Sequence, residues 1–433
     1  MSSILVTCTP AHGHVVPSLA VAAHLVAAGH DVRVLTGARY AERVAAAGAE
    51  FLPLPAEADI DLDHPNDAFP ERAALRGVPE VRFSLTNLFV KPAPTQLRAV
   101  DAAIAERPVD VVITEAMFMG AALLAARPRD ERPAIVTLGI VPLSVADPDV
   151  APFGLGIPPL PGPLGRLRNA FLRYTSELFV FAPVLDAARE AYRAVGLEVP
   201  RDVPLFDPAS RSDLVLQFTV AGFEYPLRHP RPSIRFVGPL SRTAPSNGKT
   251  PSWWGDLDGG RPVVHVTQGT IANDDVSQLI LPTLEGLADE DVLVVVSTGG
   301  RPVDSIPGPL PANARVAEYL PYDLLFPRLS AFVTNGGYGG LHYALEHGVP
   351  IVAAGTTEDK LETTARVAWS GAGINLRTDT PDPWKVREAV TAVLTKPSYR
   401  AAASRIGAEI ADSPGLAAVD AAVAELTGAP AGR

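Results

Sequence analysis

The sequence predicts an α/β chain with two doubly wound parallel sheets, one in each half. Short apolar runs alternate with Ala-rich helical stretches on both sides of the centre. Between the two series lies a segment rich in Pro, Gly, Ser and Asn, residues 234–254, with no hydrophobic period. Alternating strand-like and helix-like segments signal parallel sheets covered by helices on both faces, and the aperiodic segment has linker chemistry. The expected division is 1–233, a linker at 234–254, and 255–433.

In the first half, SILVTC (3–8) reads as a buried strand, followed by the loop TPAHGHVVP (9–17). SLAVAAHLVAAG (18–29) reads as a helix with Ser18 as N-cap and Gly29 as terminator. HDVRVLTG, EFLPLP, VDVVITE (109–115) and PAIVTLG (133–139) continue the strands. Residues 141–205 are Pro/Gly-rich at first (APFGLGIPPLPGPLG) and helical over 166–196, and are expected to form loops and helices on the side of a second substrate. In the second half RPVVHVTQGT, DVLVVVSTGG, AFVTN (331–335) and PIVAAG are the strands. Ligands of open parallel sheets bind outside the carboxyl ends of strands. The loops AHGHVVP, ITEAMF, TQGTIAN and NGGYGG all fall at such ends.

Composition narrows the function classes. The 433 residues suffice for two or three domains, and 47% hydrophobic content supports sizeable cores. A formal net charge of −11 without any Lys/Arg run speaks against nucleic acid as a partner. Cys8 is the single cysteine, so no internal disulfide forms and a reducing, cytoplasmic setting is expected. The N-terminal stretch MSSILVTCTPAHGH lacks the basic and apolar regions of a secretion signal, and no apolar run approaches the ~20 residues of an integral membrane segment.

The stretch VTNGGYGG (333–340) places four glycines between a strand and the helix carrying LHYALEH, which Gly348 and Pro350 end. Helix N-termini have unpaired N–H groups and about half a positive charge, and bare glycines let an anion reach them. A diphosphate cradle and a sterically tight turn fit this pattern equally. No P-loop Lys-Ser/Thr follows it, and no GxGxxG follows the first strand, which argues against a Walker ATPase and a simple dinucleotide site.

Residues 319–360 resemble the donor-binding signature of family 1 glycosyltransferases, in the bacterial macrolide-type branch. The matching pieces are Tyr319-Leu320-Pro321, Asn335-Gly336-Gly337-Tyr338-Gly339-Gly340, Gly348-Val349-Pro350 and Glu358-Asp359-Lys360, continued by Arg366-Val367 and SGAGINL. GHVVPSLAVA followed by GHDVRVLTG is similar to the family's N-terminal hallmark. The resemblance implies a GT-B fold, two Rossmann-like domains facing across a cleft, with the final helix (415–427) crossing back to the first domain. It implies that Asn335, Gly336, Gly337, Gly339 and Gly340 hold the donor diphosphate, while Asp359 and Lys360 hold the sugar hydroxyls. Gly269, Thr270 and Thr298 lie at neighbouring strand ends on the donor side, Tyr319 is placed to stack on the nucleobase, and Leu320 supplies backbone beside it. Three residues depart from the family pattern: Asn335 replaces a His, Gly340 a Thr and Lys360 a Gln.

Transfer to a hydroxyl needs a base, and a carboxylate-oriented His suits that task. On the residues alone His12 and His14 are equal candidates. The resemblance selects His14, with Glu115 in DVVITEAMF standing where the family has an orienting Asp. Phe83, Phe89, Met117 and Phe118 are candidates to line an apolar acceptor pocket. Trp253 and Trp254 are expected to pack between domains or line the cleft, and Asn273 to cap the next helix. The run ADIDLDHPND (58–67) contains Asp59, Asp61, Asp63 and His64 and could in principle bind a metal. A solvated acidic loop is the expected role, because the resembled family uses no metal and no cofactor. The expected partners are a UDP- or dTDP-sugar and a small, largely apolar acceptor, with a homodimer compatible. The expected activity is inverting glycosyl transfer. A nucleotide-sugar epimerase or hydrolase on the same fold, and a non-catalytic partner that activates a true transferase, are the alternatives.

Overall fold

The computed structural model describes residues 1–201, 207–240, 249–270, 273 and 275–428. The first sheet contains β1 (Ser3–Thr7), β2 (Asp31–Thr36), β3 (Glu50–Pro53), β4 (Val111–Glu115), β5 (Ala134–Gly139), β6 (Leu214–Gln217) and β7 (Ile234–Phe236), in the order β3-β2-β1-β4-β5-β6-β7. The second contains β8 (Val263–Thr267), β9 (Leu293–Ser297), β10 (Ala314–Ala317), β11 (Ala331–Thr334), β12 (Ile351–Ala353) and β13 (Gly373–Asn375), in the order β10-β9-β8-β11-β12-β13. All pairings are parallel. The runs VVITE, VVHVT and LVVVS are buried at every position, as strands covered on both faces must be.

Ile234–Phe236, expected in the linker, instead forms the edge strand β7, hydrogen-bonded to β6. The Pro- and Gly-rich residues that follow led the sequence reading to start the linker three residues early. Residues 241–248 of the expected linker lie outside the described residues. Trp253 and Trp254 pack against the second domain's core, their rings 6.2 Å apart.

Chain order reverses between β1 and β4 in the first sheet and between β8 and β11 in the second. These are the topological switch points where such sheets bind ligands. The register aligns Thr7 with Thr114, and their hydroxyls bond at 2.8 Å across the first switch point.

Five of the helices are labelled in chain order: α1 (His12–Ala27), α2 (Pro163–Ser176), α3 (Tyr338–Glu346), α4 (Lys360–Trp369) and α5 (Ala417–Thr427). The last returns to the first domain. Val419, Ala422 and Val423 are buried in the core beside β1, β4 and β5, His24 of α1 bonds Asp420 at 2.8 Å, and Arg235 forms a bidentate pair with Glu425.

Candidate active site

Helix α1 begins six residues before the expected Ser18 cap, so His14 sits in its first turn rather than in a preceding loop. Pro17 is inside the helix and costs the bond that Gly13 O would accept. Two local features hold the turn together. Ala11 O accepts from both His14 and Val15 N–H, and the Ser18 hydroxyl donates to His14 O at 2.8 Å. The end of α1 is fastened by Asp63, whose carboxylate accepts the His12 N–H at 2.9 Å. Asp63 also accepts from Tyr40 and pairs with Arg39, while Asp61 pairs with Arg39 and Asp59 accepts Ala38 N–H. The acidic run is thus a bracket for α1 and its neighbouring turn. Among the described residues no group of His, Cys, Asp or Glu is arranged to hold a metal ion.

Glu115 ends β4 with its carboxylate wholly buried. Burial of a carboxylate without partners is prohibitive, and this one is well supplied. Oε1 accepts from the Thr9 hydroxyl and the Thr9 N–H at 3.1 Å, and Oε2 accepts from Met117 N–H at 2.7 Å and His14 Nδ1 at 2.8 Å. Burial pushes its acidity down, but the charge of His14 and these donors outweigh it and hold the pKa below the usual value. An ionised Glu115 can only accept, so Nδ1 of His14 carries the proton and Nε2 presents its lone pair. For His14, burial disfavours the cation, yet the charge and hydrogen bond of Glu115, with smaller effects from Asp359 and Asp63, raise its pKa overall. The imidazole keeps 19% side-chain exposure, enough for contact with a substrate. His12 turns instead towards Arg43, 3.1 Å from Nδ1.

The charge of Asp359, in the second domain, reaches His14 and is a small part of what raises the His14 pKa. Burial first, then neighbouring Glu358, push the Asp359 carboxyl up to about 6. Lys360 starts α4, is nearly buried, and its ammonium is engaged by Glu358 at 3.0 Å and Thr357 at 3.2 Å. It serves this turn rather than standing open to a ligand.

The glycine loop divides by role. Gly336 has φ +91°, and a Cβ there would meet Thr364 Cγ2 at 2.6 Å, so close packing on α4 demands glycine. Its carbonyl accepts from Thr363 at 2.6 Å. Gly337 and Gly339, at the N-terminus of α3, face open space. Gly340 approaches the Phe332 ring. Asn335 donates to Gln268 O at 2.5 Å, binding the loop after β11 to the loop after β8. Tyr338 turns inward, where its hydroxyl donates to Glu224 at 3.1 Å.

A pocket of about 370 Å³ opens at the ends of β8 and β9, lined by Gly269, Thr270, Gly299, Tyr319, Leu320 and Tyr322 among others. Tyr319 is 66% exposed and its ring lies over Gly300, where a Cβ would meet the hydroxyl at 2.2 Å. Thr298 does not line this pocket: it is buried, with its hydroxyl spent on Arg301 O. Asn273 caps no helix, since its amide bridges Gly269 O and Thr298 O. In the first domain Phe83, Phe89 and Met117 are partly exposed. Phe118 is 1% exposed and belongs to the core with Leu97 and Leu123, so it is no open lining residue. Ser297 and Gly299 of the pocket fall in the STGG run that leaves β9, while sequence reasoning missed Tyr322, Asp323 and Tyr343. Tyr322 and Asp323 directly follow Tyr319-Leu320-Pro321, and Tyr343 lies inside α3, where no local pattern marks it.

A His–carboxylate pair at one switch point, opposite an open helix N-terminus at the other, defines a two-domain enzyme of the GT-B type. The fold agrees with solved structures: the calicheamicin glycosyltransferase CalG4 (TM-score 0.76, 23% identity, 99% of this chain and 98% of that one) and the glycosyltransferase VinC in complex with DTDP (TM-score 0.67, 20% identity, 98% and 99%). Residues 4–137 match the glycosyltransferase family 28 N-terminal domain, and residues 281–426 match the erythromycin biosynthesis protein CIII-like C-terminal domain. The chain is 41% identical to 4'-demethylrebeccamycin synthase of Lentzea aerocolonigenes, over 94% of this chain and 95% of that protein. It is 34% identical to UDP-glycosyltransferase 2 of Phaeomoniella chlamydospora, over 98% and 96%. The chain belongs to the glycosyltransferase family shared with these relatives and has the GT-B fold. Among the described residues no helix is long and apolar enough to cross a membrane.

Proposed function

We propose that the protein transfers a sugar, with inversion and without a metal or cofactor, from a UDP- or dTDP-sugar to a hydroxyl of a small, largely apolar natural product. The observation that carries this reading is the His14–Glu115 pair, 2.8 Å apart, with every oxygen of the carboxylate satisfied. Nε2 of His14 takes the proton of the acceptor hydroxyl as its oxygen attacks the anomeric carbon. The bond from that carbon to the diphosphate oxygen breaks on the opposite face, which inverts the centre. The departing diphosphate moves onto the N–H groups of Gly337 and its neighbours at the start of α3, where the helix dipole favours negative charge. Asp359 meets the sugar between the two sites. Tyr319 and the pocket at β8 and β9 take the nucleoside. The natural-product acceptor and the UDP or dTDP nucleotide are carried over from relatives named for them.

The test is incubation with a panel of UDP- and dTDP-sugars and a planar phenol as acceptor, with the product's anomeric configuration read by NMR. Transfer with inverted configuration, lost in His14→Ala, is the expected result. Retention of configuration, or equal donor turnover without acceptor, overturns it.

A further inference from the structure

A buried polar network joins the two domains behind the cleft. Arg366 of α4 is 1% exposed. Its Nε meets Glu224 at 2.6 Å, Nη1 meets Glu362 at 2.8 Å, Nη2 donates to Leu143 O at 2.9 Å, and the guanidinium lies 4.2 Å over the Tyr225 ring. The other oxygen of Glu224 accepts Leu143 N–H at 2.9 Å and the Tyr338 hydroxyl of the glycine loop. The other oxygen of Glu362 accepts the N–H groups of Gly154 and Gly156, at 2.8 and 2.9 Å. Gly156 has φ +60°, and a Cβ on it would meet Leu361 O at 2.7 Å, so this backbone rests directly on α4.

Two carboxylates and one guanidinium leave a net buried charge of −1, an expensive arrangement that apolar packing would replace at little loss of stability. What it supplies is registration. Arg366 holds Leu143 through its C=O, Glu224, itself gripped by Arg366, holds Leu143 through its N–H, and Glu362 holds the N–H groups of Gly154 and Gly156, so the loop leaving β5 is tied to α4. The turn just before α4 carries Asp359.

We propose that Glu362 and Arg366 are positioning residues for the acceptor: they clamp the 143–156 loop of the first domain onto the helix that begins at the donor-sugar residues. The acceptor wall is thereby set in one place relative to the sugar, and water is kept from the anomeric carbon. This rests on the transfer reaction proposed above.

The experiment compares wild type, Glu362→Ala, Arg366→Lys and Gly156→Ala, the last disturbing the clamp without removing a charge. Hydrogen exchange reads the clamp directly. The 143–156 amides are expected to exchange slowly in wild type and faster in all three variants, while the strands of both sheets stay protected. Kinetics read its use. The KM for the phenol is expected to rise about tenfold or more, since a misplacement near 1 Å can cost about 100-fold. The Kd for UDP is expected to stay within about twofold, and the ratio of donor hydrolysis to transfer to increase. A purely structural role lowers thermal stability but leaves the acceptor KM and that ratio where they were, and this result overturns the proposal, as does unchanged exchange of the loop. Failure of wild type to transfer any sugar sinks the underlying reaction instead, and the exchange data then stand alone on the clamp.

Discussion

His14 Nδ1 and Glu115 Oε2 lie 2.8 Å apart although 101 residues separate them in the chain, because β1 and β4 are neighbours at the first switch point. The pair's proton lies on His14, and its free lone pair points away from the carboxylate. Removing the base should therefore remove the chemistry and spare the binding. His14→Ala is expected to lose about 10²–10⁴-fold in kcat with unchanged affinity for UDP, measured by single-turnover kinetics and calorimetry. Near-wild-type kcat would dismiss His14.

Glu115 separates orientation from charge. Glu115→Gln keeps the volume but offers an amide where Thr9 and Met117 require acceptors, and it no longer stabilises the imidazolium. A kcat lower by about 10²-fold, with acceptor KM little changed, is expected. Glu115→Ala goes further and leaves His14 without its partner. It is expected to lose about 3 kcal/mol of stability in urea unfolding, near the low end for a broken buried pair because His14 retains some exposure and can neutralise. Full stability of Glu115→Ala would show that the hydrogen bonds are not formed in solution.

The pH profile has a defined sign. Transfer needs neutral His14, and the pKa of His14 is raised, so kcat/KM is expected to climb with pH through an ionisation above 6.5 and then level off. In Glu115→Gln the raising cause is gone while burial remains, so the limb should move to lower pH. Asp359, held at about 6, titrates nearby, and Asp359→Asn identifies its share. A limb that moves upward in Glu115→Gln would contradict the assignment. Linkage points the same way. His14 adds stability that is complete below 6.5 and is lost as pH rises through its higher folded value, so the Glu115→Gln stability deficit should narrow at alkaline pH.

Much of the fold is legible in the sequence. The strand-like runs, the linker composition and the loop positions pointed to two doubly wound sheets, because buried parallel strands must be continuous apolar segments. The positions of His14 and Glu115 beside such segments did not single them out; the family resemblance selected the pair, and the residues alone left His12 and His14 equal. What escaped depends on directions and on distant partners. Pro17 reads as a helix boundary, yet α1 absorbs it, which moved His14 from loop to helix. Phe118 and Thr298 stand beside functional positions but point into the protein, and one step in register decides that. Arg366 and Glu224 meet across 142 residues, with no local pattern to announce it.

Metal removal bears on the acidic run. Asp59, Asp61 and Asp63 are already committed to Ala38, Arg39, Tyr40 and the first turn of α1. Transfer is expected to proceed unchanged in EDTA. Asp63→Asn is expected to keep the fold and lower kcat modestly, by disturbing the turn that carries His14. EDTA inhibition reversed by a divalent cation would reassign the loop.

The glycines of 336–340 offer a test in which two neighbours answer differently. Gly336 combines a positive φ with a 2.6 Å approach to Thr364, so Gly336→Ala must strain the backbone and push α4 away. A loss of about 1–3 kcal/mol in stability is expected, read as a lower Tm, with donor affinity falling as a consequence. Gly337 has φ −59° and ψ 129°, values open to any residue, and nothing lies within 4 Å of the Cβ it would carry. Gly337→Ala should therefore fold as well as wild type. If the diphosphate sits on the N–H groups of this turn, the added methyl occupies its space, and the Kd for UDP rises at constant Tm. Gly337→Ala with unaltered affinity would leave the glycine stretch as a packing device, and the diphosphate would have to bind elsewhere along the ends of β8 and β11.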